Sequence, residues 1–136
     1  MTATAIRNGA LAVALLAAAA SPAGAETLSF KAELAPIAGT ESKASGTLEA
    51  TYDTGSKKLT WQGSYRGIGT YATGANMYGP SNNIVVRLRS IDSPFKGIAI
   101  VSEKQAPDLI AGRWFIVVST AGAPNGELRG QIMPAN

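Results

Sequence analysis

Three segments of the chain alternate apolar and polar residues with a period of two. They occupy residues 27–34, 46–53 and 58–65. Successive side chains of a β-strand point to opposite faces, so this spacing places the apolar residues on one face and the Thr, Ser, Lys and Glu residues on the other. The sequence therefore predicts three half-buried strands. Between the last two, Asp53 to Lys57 predicts a tight hairpin in which Asp53 accepts hydrogen bonds and Gly55 takes a positive φ.

The next strands are more apolar. Asn83 to Arg89 still alternates, whereas Phe95 to Val101 and Trp114 to Val118 contain almost no polar residue. Runs of this kind are typical of strands that are covered on both faces. We therefore expect both runs in the middle of a sandwich or barrel. We also expect Trp61 and Trp114 in the core.

Turn signals separate the remaining elements. Glu103 to Ala111 predicts one short helical turn, with Pro107 near its start and Gly112 as its stop. Ala121 to Gly126 predicts a second hairpin, because Asn125-Gly126 is a strong turn pair, and Glu127 to Met133 is the returning strand. About eight short strands at this spacing predict an all-β fold, an antiparallel immunoglobulin-like sandwich or flattened barrel.

The first 25 residues have the pattern of a cleaved signal peptide. Arg7 precedes an apolar stretch from Ala10 to Ala20, and Ala23-Gly24-Ala25 supplies the small residues of a cleavage site. The apolar stretch is shorter than a membrane-spanning helix needs, so no membrane anchor is expected. The chain has no cysteine and hence no lipid anchor or disulfide. We therefore expect a single domain, residues 26–136, in a periplasmic or secreted protein.

Charge gives little indication of a partner. The formal net charge is +3, and the charged residues are dispersed along the sequence. A nucleic-acid-binding protein would concentrate basic residues in a patch or stripe. No nucleic acid partner is therefore expected, and the sequence predicts no oligomeric state.

The end of the chain carries its most specific motif. Trp114-Phe-Ile-Val-Val118 is followed by a loop and by Gly126-Glu-Leu-Arg-Gly-Gln-Ile132. This segment resembles the end of the chordin-type (CHRD) domain, in which an aromatic residue and VNVHT precede a short loop and GE(I/L)RGQ(I/L). The resemblance extends over Leu28 to Ile132 and implies a compact β-sandwich. It implies no particular reaction.

The resemblance is incomplete in the centre of the chain. Many CHRD relatives carry an AHIHGP-like motif and the histidine of VNVHT, an arrangement that could hold a metal. Here the matching residues are Ala75-Asn-Met-Tyr-Gly-Pro80 and Ser119, and the chain contains no histidine. Amide and hydroxyl oxygens are poor ligands for zinc or copper. We therefore predict no metal site and no cofactor.

Three interpretations are open for Asn76, Tyr78 and Ser119. They could hydrogen-bond to one another or to the backbone in a polar niche. They could instead line a recognition surface, to which Tyr71 in the glycine-rich loop would add a second tyrosine. A catalytic role is the third, but Ser119 has no histidine to act as its base.

Glu127 and Arg129 lie two residues apart on the final strand, a spacing that places side chains on one face. One interpretation is a solvated charge pair. The other is a structural lock in which a partly buried Arg129 binds Glu127 or loop carbonyls and fixes the turn at Gly126. Gly130 would then permit close approach of another strand.

These observations lead to a functional hypothesis. We expect an exported, non-enzymatic CHRD-type module that binds another molecule or has a structural role, with a protein or an extracellular polymer as partner. The alternative is an exported enzyme or metal-handling protein whose site does not use histidine.

Overall fold

The computed structural model describes residues 25–135, so the expected signal peptide lies outside the described residues except for Ala25. The elements in chain order are β1 Thr27–Pro36, β2 Ser45–Asp53, β3 Lys58–Arg66, β4 Ala72–Tyr78, β5 Ile84–Arg87, β6 Phe95–Ile100, α1 Ala106–Ile110, β7 Trp114–Thr120 and β8 Leu128–Pro134. Within this part of the chain, no helix combines the length and the apolar character that crossing a bilayer requires.

The eight strands form one antiparallel sheet with the order β5-β4-β7-β8-β1-β2-β3-β6. Strand β8 pairs with β7 on one side and with β1 on the other, so it joins two layers that face each other. The result is a nearly closed barrel around one apolar core. The predicted all-β fold is confirmed.

The core is built from the apolar face of each alternating strand. In β1 the buried residues are Phe30, Ala32 and Leu34, and the intervening residues are exposed. The same alternation holds in β2 and in the first half of β3. Trp61 is 4% exposed and Trp114 is 1% exposed, which confirms both as core residues.

The β2–β3 turn differs from the prediction in one detail. Asp53 Oδ1 accepts hydrogen bonds from the amides of Gly55 and Ser56, at 2.8 and 3.2 Å, as expected. The residue with positive φ, however, is Lys57 at 65°, and Gly55 is not among the positive-φ glycines. The amide of Lys57 donates a hydrogen bond to the carbonyl of Asp53. The turn therefore closes like the end of a helix, where the residue after the last helical one adopts a left-handed backbone conformation.

The prediction that the Phe95 to Val101 run lies in the middle of the sheet is wrong. Among the described strands, β6 lies at an edge and pairs with β3 alone, and Ile98 and Ile100 are 58% and 67% exposed. Apolar content does not distinguish a covered strand from an edge strand that exposes its isoleucines. Strand β7 does lie centrally, between β4 and β8, but one of its two faces is only half-buried.

The one helix among the described residues agrees with the sequence. It lies within the predicted segment, and Pro107 occupies its first turn. Gly112 has a φ of 76°, and its amide bonds the carbonyl of Leu109 at 3.0 Å. A glycine in this conformation ends the helix without steric cost.

Candidate functional site

The outer face of the β5-β4-β7-β8 layer carries the three residues that the sequence marks as candidates. Strands β4 and β7 bury alternate residues, among them Met77, Ile116 and Val118, so the residues between them face outward. We call this surface the arginine–aromatic face; it consists of Asn76, Tyr78, Arg87, Phe115, Val117, Ser119, Arg129 and Gln131.

The register places the three candidates close together. Asn76 lies opposite Val117, and Ser119 lies opposite Gly74, so Ser119 is the diagonal neighbour of Asn76. Tyr78 continues along the same face of β4. All three side chains are half-buried. Their clustering agrees with the prediction from the motif positions.

Their contacts disfavour the polar-niche interpretation. Among the described residues, no hydrogen bond joins the side chains of Asn76, Tyr78 and Ser119 to one another or to the backbone. The space above Gly74 is open, because a Cβ added there would have no atom within 4 Å. Polar groups of Asn76 and Ser119 thus border an open notch.

Tyr78, Phe115 and Arg129 form a stacked column across three strands. The rings of Tyr78 and Phe115 are 5.2 Å apart and 9° from parallel. The guanidinium carbon of Arg129 lies 4.1 Å from the centre of the Phe115 ring. Its Nη2 also approaches Oε1 of Gln131 at 3.4 Å. Such stacking limits the rotamers of all three side chains and holds the guanidinium in a defined orientation.

Two arginines lie at the opposite ends of one row of residues on this face. Arg87 lies opposite Asn76, Asn76 opposite Val117, and Val117 opposite Arg129, so one row across four strands begins and ends with an arginine. Both arginines are exposed. In the described range, neither forms a salt bridge, and no Asp or Glu lies among the outward residues of these strands. The face is therefore cationic.

Arg87 and Phe115 were not predicted as site residues. Their strands alternate like any other, and only the pairing of β5 with β4 and of β4 with β7 brings them beside Asn76 and Tyr78. The one signal available in the sequence was the aromatic residue at the start of the C-terminal motif. Tyr71 is 68% exposed but lies before β4, next to the β7–β8 loop, where its carbonyl accepts a bond from the amide of Ala121.

The predicted lock between Glu127 and Arg129 is wrong. Glu127 is 5% exposed, and its carboxylate accepts hydrogen bonds from the hydroxyls of Thr120 and Ser42, both at 2.6 Å. Arg129 is exposed and points to the opposite side. Gly126, Glu127 and Leu128 are all buried, so the alternation on which the prediction rested begins only at Leu128.

The two glycines of the motif serve packing. Gly126 has a φ of 125°, and a Cβ there would lie 2.8 Å from Cδ1 of Ile37. A Cβ on Gly130 would lie 2.6 Å from the backbone carbonyl oxygen of Glu33 in β1. The expected close approach at Gly130 is thus observed, between β8 and β1.

A groove lies on the other layer, outside β1, β2, β3 and β6. Its volume is about 840 Å³. Its outward lining residues are Ser29, Lys31, Glu49, Thr51, Thr60, Gln62, Lys96 and Ile98. Sequence reasoning placed the lining residues of β1, β2 and β3 on the polar face of half-buried strands and missed the groove, because strand alternation does not report curvature. Over the described residues, no group of three His, Cys, Asp or Glu side chains is placed to hold a metal ion.

Comparison with known proteins gives one positive result. A family model described as the CHRD domain matches residues 24–132, which include the strands of both layers. A search of curated proteins finds no match to this chain.

Proposed function

Because the chain belongs to the CHRD domain family, we propose that it is a non-enzymatic binding module and that the arginine–aromatic face is its contact surface. The observation that carries this proposal is the row across four strands that begins with Arg87 and ends with Arg129. Two exposed guanidinium groups that pair with no carboxylate of residues 25–135 form a surface whose charge favours an anionic ligand.

The ligand we propose is an extracellular polymer that carries carboxylate or sulfate groups. Arginine presents a planar fork of donors that matches these groups, and stacking on Phe115 orients the fork of Arg129 in advance. The row spans three strand spacings, roughly 14 Å, so an extended chain could contact both arginines at once. Asn76 and Ser119 would add hydrogen bonds at the notch above Gly74.

Tyr78 contributes in a different way. Its ring is half-buried against Phe115, so it offers a rigid edge and a hydroxyl group at little cost in conformational entropy. Tyr71, which lies beside the β7–β8 loop, would border the same surface at the end of β4. The proposal includes export, since a leader at residues 1–25 would deliver the domain to the compartment where such polymers occur.

The alternative from the sequence, an enzyme or a metal-handling protein without histidine, would use the groove on the other layer. There Lys31, Glu49, Gln62 and Lys96 lie in one row across β1, β2, β3 and β6. Among the described residues that line the groove, Glu49 is the one with a carboxylate. General acid and base catalysis needs titratable groups that converge on one atom, whereas the exposed side chains of Lys31, Glu49 and Lys96 are spread across four strands. The groove therefore supports the alternative less well than the arginine–aromatic face supports binding.

Calorimetric titration tests the proposal. Polygalacturonate supplies a carboxylate polymer, and dextran supplies a neutral polymer as the control. We expect heat of binding with polygalacturonate, weaker binding as salt is added, and no binding of dextran, because arginine contacts to an exposed anion are screened by salt. Equal binding of both polymers, or binding insensitive to salt, would contradict the proposed role of the arginines.

A further inference from the structure

The two edge strands of the sheet, β5 and β6, differ in how well they are protected from pairing with another chain. Strand β5 has four residues, and its pairing with β4 is irregular between Met77 and Tyr78. Strand β6 has six residues and a regular ladder with β3, and in the described range no strand pairs with its other side. An edge strand of this kind presents a row of unpaired amide and carbonyl groups to other chains.

The register identifies the unpaired groups. The amide of Val101 bonds the carbonyl of Lys57 at 2.9 Å across the β3–β6 ladder. Hydrogen-bonded and non-hydrogen-bonded pairs alternate along an antiparallel ladder. The backbone groups of the odd-numbered residues of β6 therefore form hydrogen bonds with β3. The backbone amide and carbonyl groups of Lys96, Ile98 and Ile100 point away from β3. No backbone hydrogen bond ties these groups to another part of the described chain.

The side chains of β6 also favour contact. Ile98 and Ile100 expose more than half of their surface on the outer face. On the inner face, Gly97 and Ala99 are small, so a neighbouring backbone can approach without a clash. Natural edges are commonly guarded by charged residues or proline, and within β6 the charged residue is Lys96 alone.

We propose that a second copy of this chain pairs with β6, antiparallel, so that Ile98 lies opposite Ile98 of the second copy on a two-fold axis. The unpaired backbone amide and carbonyl groups of the two strands face each other only when even-numbered residues pair with even-numbered residues. Of the registers of this kind, the one centred on Ile98 pairs all of residues 96–100 with their counterparts. It places Lys96 opposite Ile100 of the second copy and Gly97 opposite Ala99.

This register is self-complementary. The two copies of Lys96 lie at opposite ends of the paired strands, so no like charges face each other. The aliphatic stem of each Lys96 packs along an isoleucine while its ammonium group reaches water. A two-fold contact closes on itself and leaves no further β6 edge for polymerisation.

The pairing would also extend the groove on this layer. Ile98 belongs to the groove's lining, so the grooves of the two copies would meet across the axis. The arginine–aromatic face lies on β5, β4, β7 and β8 and takes no part in the contact. The proposed dimer is therefore independent of the proposed ligand.

Analytical ultracentrifugation of the purified chain over a concentration series gives the first test. We expect the mass to double from one chain to two as concentration rises. Ile98→Lys should hold the protein at one chain, whereas Ile84→Lys, a matched change on the other edge, should leave the doubling intact. Circular dichroism checks that both variants fold.

Cross-linking gives a second test that does not depend on the lysine variants. The chain has no cysteine, so Ile98→Cys introduces a single thiol. Directly opposed hydrogen-bonded residues have Cα atoms about 5.5 Å apart, a separation that a disulfide can bridge. Under mild oxidation, Ile98→Cys should form the cross-linked dimer at least about tenfold faster than Ile84→Cys, because pairing raises the effective concentration of the thiol.

Ile100→Cys tests the register, since its two copies would lie several residues apart and should cross-link as slowly as the Ile84→Cys control. A wild-type chain that stays single at every concentration would overturn the proposal. So would equal cross-linking rates for the Ile98→Cys and Ile84→Cys variants. Faster cross-linking of Ile100→Cys than of Ile98→Cys would overturn the register.

Discussion

The hydroxyl of Thr120 donates a 2.6 Å hydrogen bond to Oε1 of Glu127 at the base of the β7–β8 hairpin. The other carboxylate oxygen of Glu127 accepts a bond of equal length from Ser42, 85 positions away in the sequence. Hydroxyl groups thus satisfy a buried carboxylate for which the sequence pattern predicted an arginine partner. The arrangement ties the hairpin to the loop after β1 and leaves Arg129 free for the outer face.

Removing this carboxylate should destabilise the protein. Glu127→Ala removes the acceptor of two hydrogen bonds and leaves the hydroxyl protons of Ser42 and Thr120 without it, at a cost of about 2 to 3 kcal/mol in the free energy of unfolding. Arg129→Ala is the control, and it should cost less than about 1 kcal/mol, since it removes an exposed cation–π contact. Urea melts of both variants measure the difference, and equal losses would show that Arg129 supports the hairpin after all.

The indole of Trp61 gives a second prediction. Its Nε1 is buried and has no hydrogen-bond partner in the described part of the chain, so the ring is held by packing alone. Trp61→Phe should cost less than about 2 kcal/mol, whereas Trp61→Ala should cost about 3 to 5 kcal/mol through the cavity it leaves. Thermal unfolding compares the two. A phenylalanine variant as unstable as the alanine variant would mean that the Nε1–H group makes an essential bond.

Two glycines, on the strands that flank β7, should respond differently to alanine. A Cβ on Gly130 would lie 2.6 Å from a backbone oxygen of β1, so Gly130→Ala must separate β8 from β1 and should cost about 1 to 3 kcal/mol. Gly74→Ala, where the space is open, should be neutral or slightly stabilising. If the two variants have the same unfolding midpoint, the close approach of β1 and β8 is not a constraint.

The β2–β3 turn should contribute to acid sensitivity. Hydrogen bonds from the backbone amides of Ser56 and then Gly55 hold the pKa of Asp53 below its ordinary value of 3.8. A group whose pKa is lower in the folded state contributes stability above its unfolded pKa, and this contribution is lost as pH falls through the folded value. Asp53→Asn should therefore show a smaller fall in melting temperature than the wild type between about pH 6 and pH 2. Parallel falls would contradict the assignment.

Much of the fold could be predicted because β1, β2 and β3 alternate cleanly, and alternation reports which face is buried. It does not report which strands lie at an edge, so the apolar run that contains Ile98 and Ile100 was assigned to the interior. The small residues that alternate with the isoleucines, Gly97 and Ala99, were the available sign that its inner face carries little volume.

The candidate site was only partly predictable for the same reason. Asn76, Tyr78 and Ser119 occupy motif positions that the fold brings to one face, and the sequence located them. Arg87 joins them only through the pairing of β5 with β4. The hydrogen bond between Ser42 and Glu127 could not be predicted, since nothing in the local sequence indicates that these residues meet. Without that partner, the sequence pattern wrongly paired Glu127 with Arg129.

The most direct test of the central claim is the affinity of arginine variants for polygalacturonate. The account predicts that the double variant Arg87→Gln with Arg129→Gln binds at least about tenfold more weakly than the wild type, which corresponds to losing one or two charge-assisted hydrogen bonds. The matched double variant Lys31→Gln with Lys96→Gln removes the same charge from the groove on the other layer and should bind like the wild type. Equal loss in the two double variants would show that net charge alone governs binding, and no loss at the arginines would contradict the arginine–aromatic face as the contact surface.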